Sequence, residues 1–300
     1  MKEIVIISGK GGTGKTSLTA SFAILAENPV LCDTDVDAAD LHLLLQPEIL
    51  QQTEFSGGCL AIIDKEKCTV CGYCRDLCRF EAISENFQVD PINCEGCGVC
   101  VDLCPEHAIY FPRQKSGDWF TSATKVGPMV HARLGIGEEN SGKLVSLIRK
   151  EAHRLAEENH RRLILTDGPP GIGCPVIATI TNCDAVVIVV EPTVSGFHDI
   201  RRVAELTSHF GVQTMLCVNR FDLNMKITEK IEKFGHDHDF AVLPRIPFDP
   251  DFTKAMVESK TLIEYAGTSP TAKRIQLVWE TILEATDTKA AKPLTLNKYM

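Results

Sequence analysis

Apolar residues along this chain come in short unbroken runs, separated by stretches with a helical period. Ile4-Val5-Ile6-Ile7 is a β-branched run that ends in glycines, and residues 14–26 then read as a helix. Residues 29–32 give a second short strand, and residues 38–45 a short helix. From there to about residue 140 the periodicity fails, except that residues 119–134 fit a hairpin turning at Gly127-Pro128. Residues 140–158 place Leu144, Leu147, Ile148, Ala152 and Leu155 on one face and predict a long amphipathic helix. Four further apolar runs follow at 163–165, 185–190, 215–218 and 241–243, each trailed by a helix or loop. The last helix is expected at 269–285, with a polar tail after it. Apolar runs alternating with helices predict an α/β fold, its mostly parallel sheet covered by helices on both faces.

At 300 residues the chain is long enough for two domains. Its formal net charge is −9, whereas a nucleic-acid footprint is basic, so no nucleic-acid ligand is expected. The longest apolar run, residues 185–190, is far short of the ~20 residues of a membrane helix. The first residues lack a signal-peptide layout. The expectation is a cytoplasmic protein with no membrane partner.

Thirteen cysteines change the picture, because in such a compartment they point to metal or catalysis. Residues 68–83, CTVCGYCRDLCRFEAI, recur as residues 94–109, CEGCGVCVDLCPEHAI. Residues 59–111 hold nine acidic and four basic residues, a charge of −5, and read as a small acidic domain inserted between residues 1–58 and 112–300. Each repeat is C-x2-C-x2-C-x3-C. Three closely spaced thiolates wrap one cubane, and the fourth serves the neighbouring cluster. That rule assigns Cys68, Cys71, Cys74 and Cys104 to one [4Fe–4S] cluster and Cys94, Cys97, Cys100 and Cys78 to a second. A zinc site has no use for two interleaved sets of four. The segment resembles the bacterial two-cluster ferredoxins, which implies a small α+β unit. Cys104 is followed by Pro105 as in that pattern, whereas Cys78 is followed by Arg79.

Gly9-Lys10-Gly11-Gly12-Thr13-Gly14-Lys15-Thr16 matches G-x-x-x-x-G-K-[ST] between a strand and a helix. Backbone N–H groups of Gly11, Gly12, Thr13, Gly14, Lys15 and Thr16, with Ser17 next to them, can cradle phosphates at the helix start. Lys15 would pair the β/γ-phosphates, and the Thr16 hydroxyl would reach Mg²⁺.

The additional Lys10 makes the loop resemble that of the MinD/ParA-type ATPases, a group that includes the nitrogenase iron protein and the Mrp-type cluster carriers. The resemblance implies a P-loop NTPase sheet and ATP (or ADP) with Mg²⁺. It implies a homodimer, or a heterodimer with a paralogous ATPase, in which Lys10 reaches the partner's nucleotide. In Asp33-Thr34-Asp35 it implies that Asp35 orients the attacking water while Asp33 lies near Mg²⁺. In Asp167-Gly168-Pro169-Pro170-Gly171 it implies that Asp167 holds Mg²⁺ through water. It also implies that Asn219, Arg220 and Pro247 read the base. Asn219-Arg220-Phe221-Asp222 resembles a guanine-reading motif too, and ATP is favoured over GTP on the family likeness alone.

Two residues keep two readings each. Cys174, seven positions after Asp167, is either the first buried residue of a helix or a metal ligand at a dimer axis. His131 is either packed or a second ligand there. The expected function is a dimeric, Mg-ATP-hydrolysing switch that couples nucleotide state to electron transfer or metal-cluster assembly, with a redox or metal-cluster protein as client. The alternatives are a redox-sensing positioning or partitioning ATPase, and an iron–sulfur scaffold or carrier.

Overall fold

The computed structural model describes residues 1–135 and 141–287. Its strands are β1 (Lys2–Ser8), β2 (Val30–Asp33), β3 (Glu48–Phe55), β4 (Gly58–Cys59), β5 (Ile62–Ile63), β6 (Ile109–Tyr110) and β7 (Arg113–Gln114). They continue with β8 (Gly117–Ala123), β9 (Pro128–Leu134), β10 (Leu163–Pro170), β11 (Ala185–Val190), β12 (Gln213–Val218) and β13 (Ala241–Val242). Nine of them form one sheet in the order β13-β12-β11-β1-β10-β2-β9-β8-β3. From β13 to β9 all pairs are parallel, and β8 and β3 are added antiparallel at one end.

The apolar runs are unbroken because both faces of the sheet are buried. In β1, Ile4 and Ile6 join a core with Leu18 and Phe22 of the helix Lys15–Leu25 and with Ile275 and Trp279 of the helix Pro270–Asp287. Val5 and Ile7 face the other way, against Val176, Ile180, Ile200 and Val203. Beneath β2 and β9, the helix Ser141–Glu158 presents Leu144, Ile148 and Ala152.

Several expectations need correcting. The stretch where periodicity fails contains β3, an eight-residue strand. Its first five residues are exposed on both faces, so it carries no apolar alternation. Residues 163–165 are only the start of an eight-residue strand that runs through Asp167 to Pro170. The long helix is observed from Ser141, and its expected first residue, Asn140, lies outside the described residues. The expected tail also lies outside them from residue 288 on.

The cysteine-rich segment grows out of the β3–β8 pair. The ladder that joins Phe55 to Gly117 continues as Cys59 to Arg113 and then Ile63 to Ile109. Beyond it lie two short helices, Tyr73–Leu77 and Val99–Asp102, each preceded by a left-handed glycine, Gly72 (φ +84°) or Gly98 (φ +78°). The duplicated pairs Ala82-Ile83 and Ala108-Ile109 are buried at equivalent places and form the segment's small core.

Candidate functional site

The loop between β1 and the helix Lys15–Leu25 is shaped by its glycines. Gly14 is left-handed (φ +87°), and a Cβ there would stand 2.4 Å from the Asn219 amide nitrogen. Asn219, at the end of β12, is 4 % exposed and donates to the Thr13 carbonyl at 2.8 Å. Its Oδ1 accepts from the Arg220 N–H at 3.0 Å. The Asn219 amide therefore braces the phosphate loop. Arg220 is held by Glu191 and donates to the Gly12 carbonyl at 3.4 Å. A bridge from Asn219 to Ile246 sets Pro247 beside this segment. The Ser17 hydroxyl turns outward to Met256 Sδ at 3.7 Å. Thr13 Oγ1 is buried without a hydrogen-bond partner, in the loop where phosphate oxygens are expected.

The tips of β2 and β10 bring three carboxylates to Lys15. Its ammonium lies 3.0 Å from Asp167 and 3.6 Å from Asp35. Asp167 also accepts from Thr16 Oγ1 at 2.7 Å and from Thr19 Oγ1 at 2.9 Å. Asp33 accepts from the N–H groups of Asp35 (3.1 Å) and Leu41 (3.3 Å). Burial pushes the Asp35 carboxyl up to about 6; Lys15 opposes this, and the charges of Asp167 and Asp37 add to it. Burial and then Asp167 raise Asp33 well above the usual carboxylate range. Burial works against the charge of Lys15, but Asp167, Asp35 and Asp33 outweigh it and raise its pKa. Three carboxyl groups gathered on one ammonium leave an excess of negative charge, which suits a divalent cation with phosphates. Among the described residues no three acidic, His or Cys side chains converge to hold an ion by themselves. Mg²⁺ usually keeps waters and takes one or two carboxylates plus substrate phosphates.

Lys10 is turned to its own chain. Its ammonium donates to Thr193 Oγ1 and Ser195 Oγ, both at 3.1 Å, and lies 3.8 Å from Glu191.

The eight repeat cysteines divide between two hollows. One, of about 340 Å³ including open space at its mouth, is lined by Cys68, Cys71, Cys74 and Cys104. The other, of about 400 Å³, is lined by Cys78, Cys94, Cys97 and Cys100. A tetrahedral zinc site would bring four sulfurs to about 3.8 Å from each other, given a Zn–S bond of ~2.3 Å. A cubane interposes iron and sulfide and keeps them further apart. Burial, and then the neighbouring Cys94, Cys97 and Cys74 thiolates, push the Cys100 thiol up to about 11. Gly96 (φ +59°) is seated against the Cys59 backbone, where a Cβ would meet its carbonyl at 2.5 Å.

Cys174 is exposed and opens the helix Cys174–Ile180, so it is not the buried helix residue of the first reading. His131 is 7 % exposed, accepts or donates through Nε2 to Ser122 Oγ at 3.0 Å, and stacks on Phe120. Burial, then His42 and Arg133, depress its pKa to about 4. It is packed inside the hairpin, which removes it as an interface ligand.

Sequence reasoning missed Thr19 and Glu191. Thr19 lies one turn beyond Lys15 on the same helix, a spacing that puts both on one face. Glu191 carried no motif, and only the fold brings it to Lys10 and Arg220.

Residues 4–262 match the CobQ/CobB/MinD/ParA nucleotide binding domain. An uncharacterized protein of Methanocaldococcus jannaschii is 33 % identical over 285 residues, 94 % of this chain and 96 % of that one. The cell-division ATPase MinD of Pyrococcus furiosus superposes with a TM-score of 0.58 at 18 % identity, covering 95 % of this chain and 99 % of that one. The septum site-determining protein MinD of Pyrococcus horikoshii, complexed with Mg-ADP, gives 0.58 at 16 % identity over 97 % and 99 %. At these identities the solved structures speak for the fold.

Proposed function

We propose, from the premise that this chain belongs to the CobQ/CobB/MinD/ParA nucleotide-binding family, that it is an ATP-hydrolysing switch working as a dimer. The observation that carries the reading is the buried Lys15–Asp167–Asp35 cluster beneath the glycine loop. Lys15 exchanges its carboxylate partners for the β/γ-phosphates. Asp35 orients the attacking water, and its pKa of about 6 leaves it ionised at neutral pH yet able to accept a proton. Thr16, with Asp167 and Asp33 behind it, would hold Mg²⁺, which supplies charge neutralisation at the phosphates when bound. Lys10 leaves Thr193 and Ser195 for the nucleotide of the partner subunit. Arg220 and Pro247 border the base, and ATP is the nucleotide.

The insert, residues 59–111, would hold one [4Fe–4S] cluster on Cys68, Cys71, Cys74 and Cys104 and a second on Cys94, Cys97, Cys100 and Cys78. The two four-cysteine hollows support this reading. Such clusters supply one-electron transfer. The switch thereby couples nucleotide state to electron or metal-cluster delivery into a redox client. A second reading, a positioning or partitioning ATPase, is favoured by the fold likeness to MinD.

The test is an anaerobic metal and sulfide assay, followed by an EPR redox titration with and without Mg-ATP. About eight iron per chain, by the ligand count, with potentials that move on ATP addition, is expected for the coupled switch. Stoichiometric zinc without sulfide, or potentials indifferent to ATP, leaves the positioning reading.

A further inference from the structure

The two legs of the cysteine-rich segment meet the nucleotide domain at Ser116. This residue is 1 % exposed and lies between β7 and β8. Its N–H donates to the Phe55 carbonyl at 2.8 Å, and its carbonyl accepts from Gly135 at 2.9 Å. Its hydroxyl accepts from the Gly57 N–H at 3.3 Å. One side chain and its peptide thus tie the outgoing leg (Phe55, Gly57), the returning leg and the end of β9. One residue earlier on β9, the Leu134 N–H donates to the Val36 carbonyl at 3.2 Å, directly after Asp35. β9 also pairs along β2, with His131 opposite Asp33. The segment that carries the two aspartates at the phosphate site is therefore joined to the root of the insert by consecutive hydrogen bonds.

The two hollows stand at different heights above that root. Going outward, the legs pair as Cys59–Arg113, then Leu60–Pro112, then Ile63–Ile109. The hollow of Cys78, Cys94, Cys97 and Cys100 is lined by Ala61 and Phe111, and its Gly96 sits on Cys59. The hollow of Cys68, Cys71, Cys74 and Cys104 is lined by Ile63, Ala108 and Ile109. The first is thus proximal to the nucleotide domain, and the second is distal.

We propose that Ser116 is a positioning residue that transmits the state of the Asp33–Val36 segment to the proximal four-cysteine site, leaving the distal site unaffected. This rests on the reading of the insert as a two-cluster unit. A nucleotide that takes Lys15 from Asp35 shifts this segment and with it the Val36 carbonyl. Leu134 and Gly135 follow it, and Ser116 passes the shift to Gly57 and so to the β4–β7 rung on which Gly96 is seated. The distal site is further out on the ladder, at the Ile63–Ile109 pair.

The experiment measures iron release to a ferrous chelator from the full-length, anaerobically purified protein, with and without Mg-ATP. In the wild type, about half of the iron should change its release rate on ATP addition, by threefold or more, and the other half should not. Ser116→Ala should abolish that difference while iron content and ATP turnover stay at wild-type values. Ser116→Thr, which keeps the hydroxyl, should restore it. Gly117→Ala, whose Cβ would stand 2.5 Å from the Arg133 carbonyl, disturbs the same junction from β8 and should also blunt the response. If Ser116→Ala loses iron outright, Gly117→Ala decides. Equal responses from both halves of the iron, or a full ATP effect in the deciding variant, overturn the inference alone. Protein without iron and sulfide overturns the two-cluster reading and this inference with it.

Discussion

Replacing Asp35 by Asn should make the nucleotide-free chain more stable while abolishing hydrolysis. The carboxyl sits beside Asp167 and Asp33 in a buried pocket, and its pKa is raised from 3.8 to about 6 despite Lys15 at 3.6 Å. A folded-state pKa above the unfolded one means that the native chain binds more protons between about pH 4 and 6. Stability contributed by the protonated form is therefore complete below the unfolded value and is lost as pH rises through 6. Above that the ionised group costs the fold about 3 kcal/mol, from a difference of about 2.2 pH units at ~1.36 kcal/mol each. Asn keeps the shape and removes the charge. At ~2–4 °C per kcal/mol for large domains, the melting temperature should rise by roughly 6–12 °C at pH 7.5. The gain should vanish near pH 4, where wild-type Asp35 is already neutral. Saturating Mg-ADP should shrink it as well, because the divalent ion offsets the excess negative charge. The assay is a thermal melt of both proteins across pH, with phosphate release measured in parallel. No rise at pH 7.5, or an equal rise at pH 4, would refute the electrostatic account of this site.

Lys15→Ala should abolish nucleotide binding in calorimetry, whereas Lys10→Ala should keep binding but lose hydrolysis and ATP-dependent dimerisation in light scattering. Normal turnover by Lys10→Ala would end the dimer assignment. Arg149 pairs with buried Glu3 at 2.6 Å and donates to the Ala178 and Thr181 carbonyls at 2.6 and 2.9 Å. Arg149→Ala should cost up to about 3 kcal/mol in denaturant melts, because buried Glu3 then keeps only His153 and the Thr166 hydroxyl, both at 2.9 Å. Cys71→Ser should halve the iron content without changing nucleotide affinity, as read by metal analysis and calorimetry.

How much of this was legible in the sequence depends on the range of the interactions. The parallel sheet was readable because strands buried on both faces must be apolar throughout, as residues 4–7 and 185–190 are. The glycine loop was readable because Gly14 needs a left-handed backbone and Lys15 must follow it at once. The cysteine repeats announced two sets of four through their spacing alone, and the two hollows gather the same two sets. Edge strand β3 was not readable, since a strand exposed on both faces carries no alternation. The hydrogen-bond partners of Asn219 and His131 were not readable either. Only the fold brings the Asn219 amide to the Thr13 carbonyl and sets His131 against Phe120 and Ser122. The excess of carboxyl groups around Lys15 comes from residues far apart in the chain, and it exists only because β2 pairs with β10. The Ser116 junction arises in the same way. Local conformational demands and burial are written residue by residue, whereas side-chain partners separated by many residues are chosen only when the sheet sets its register.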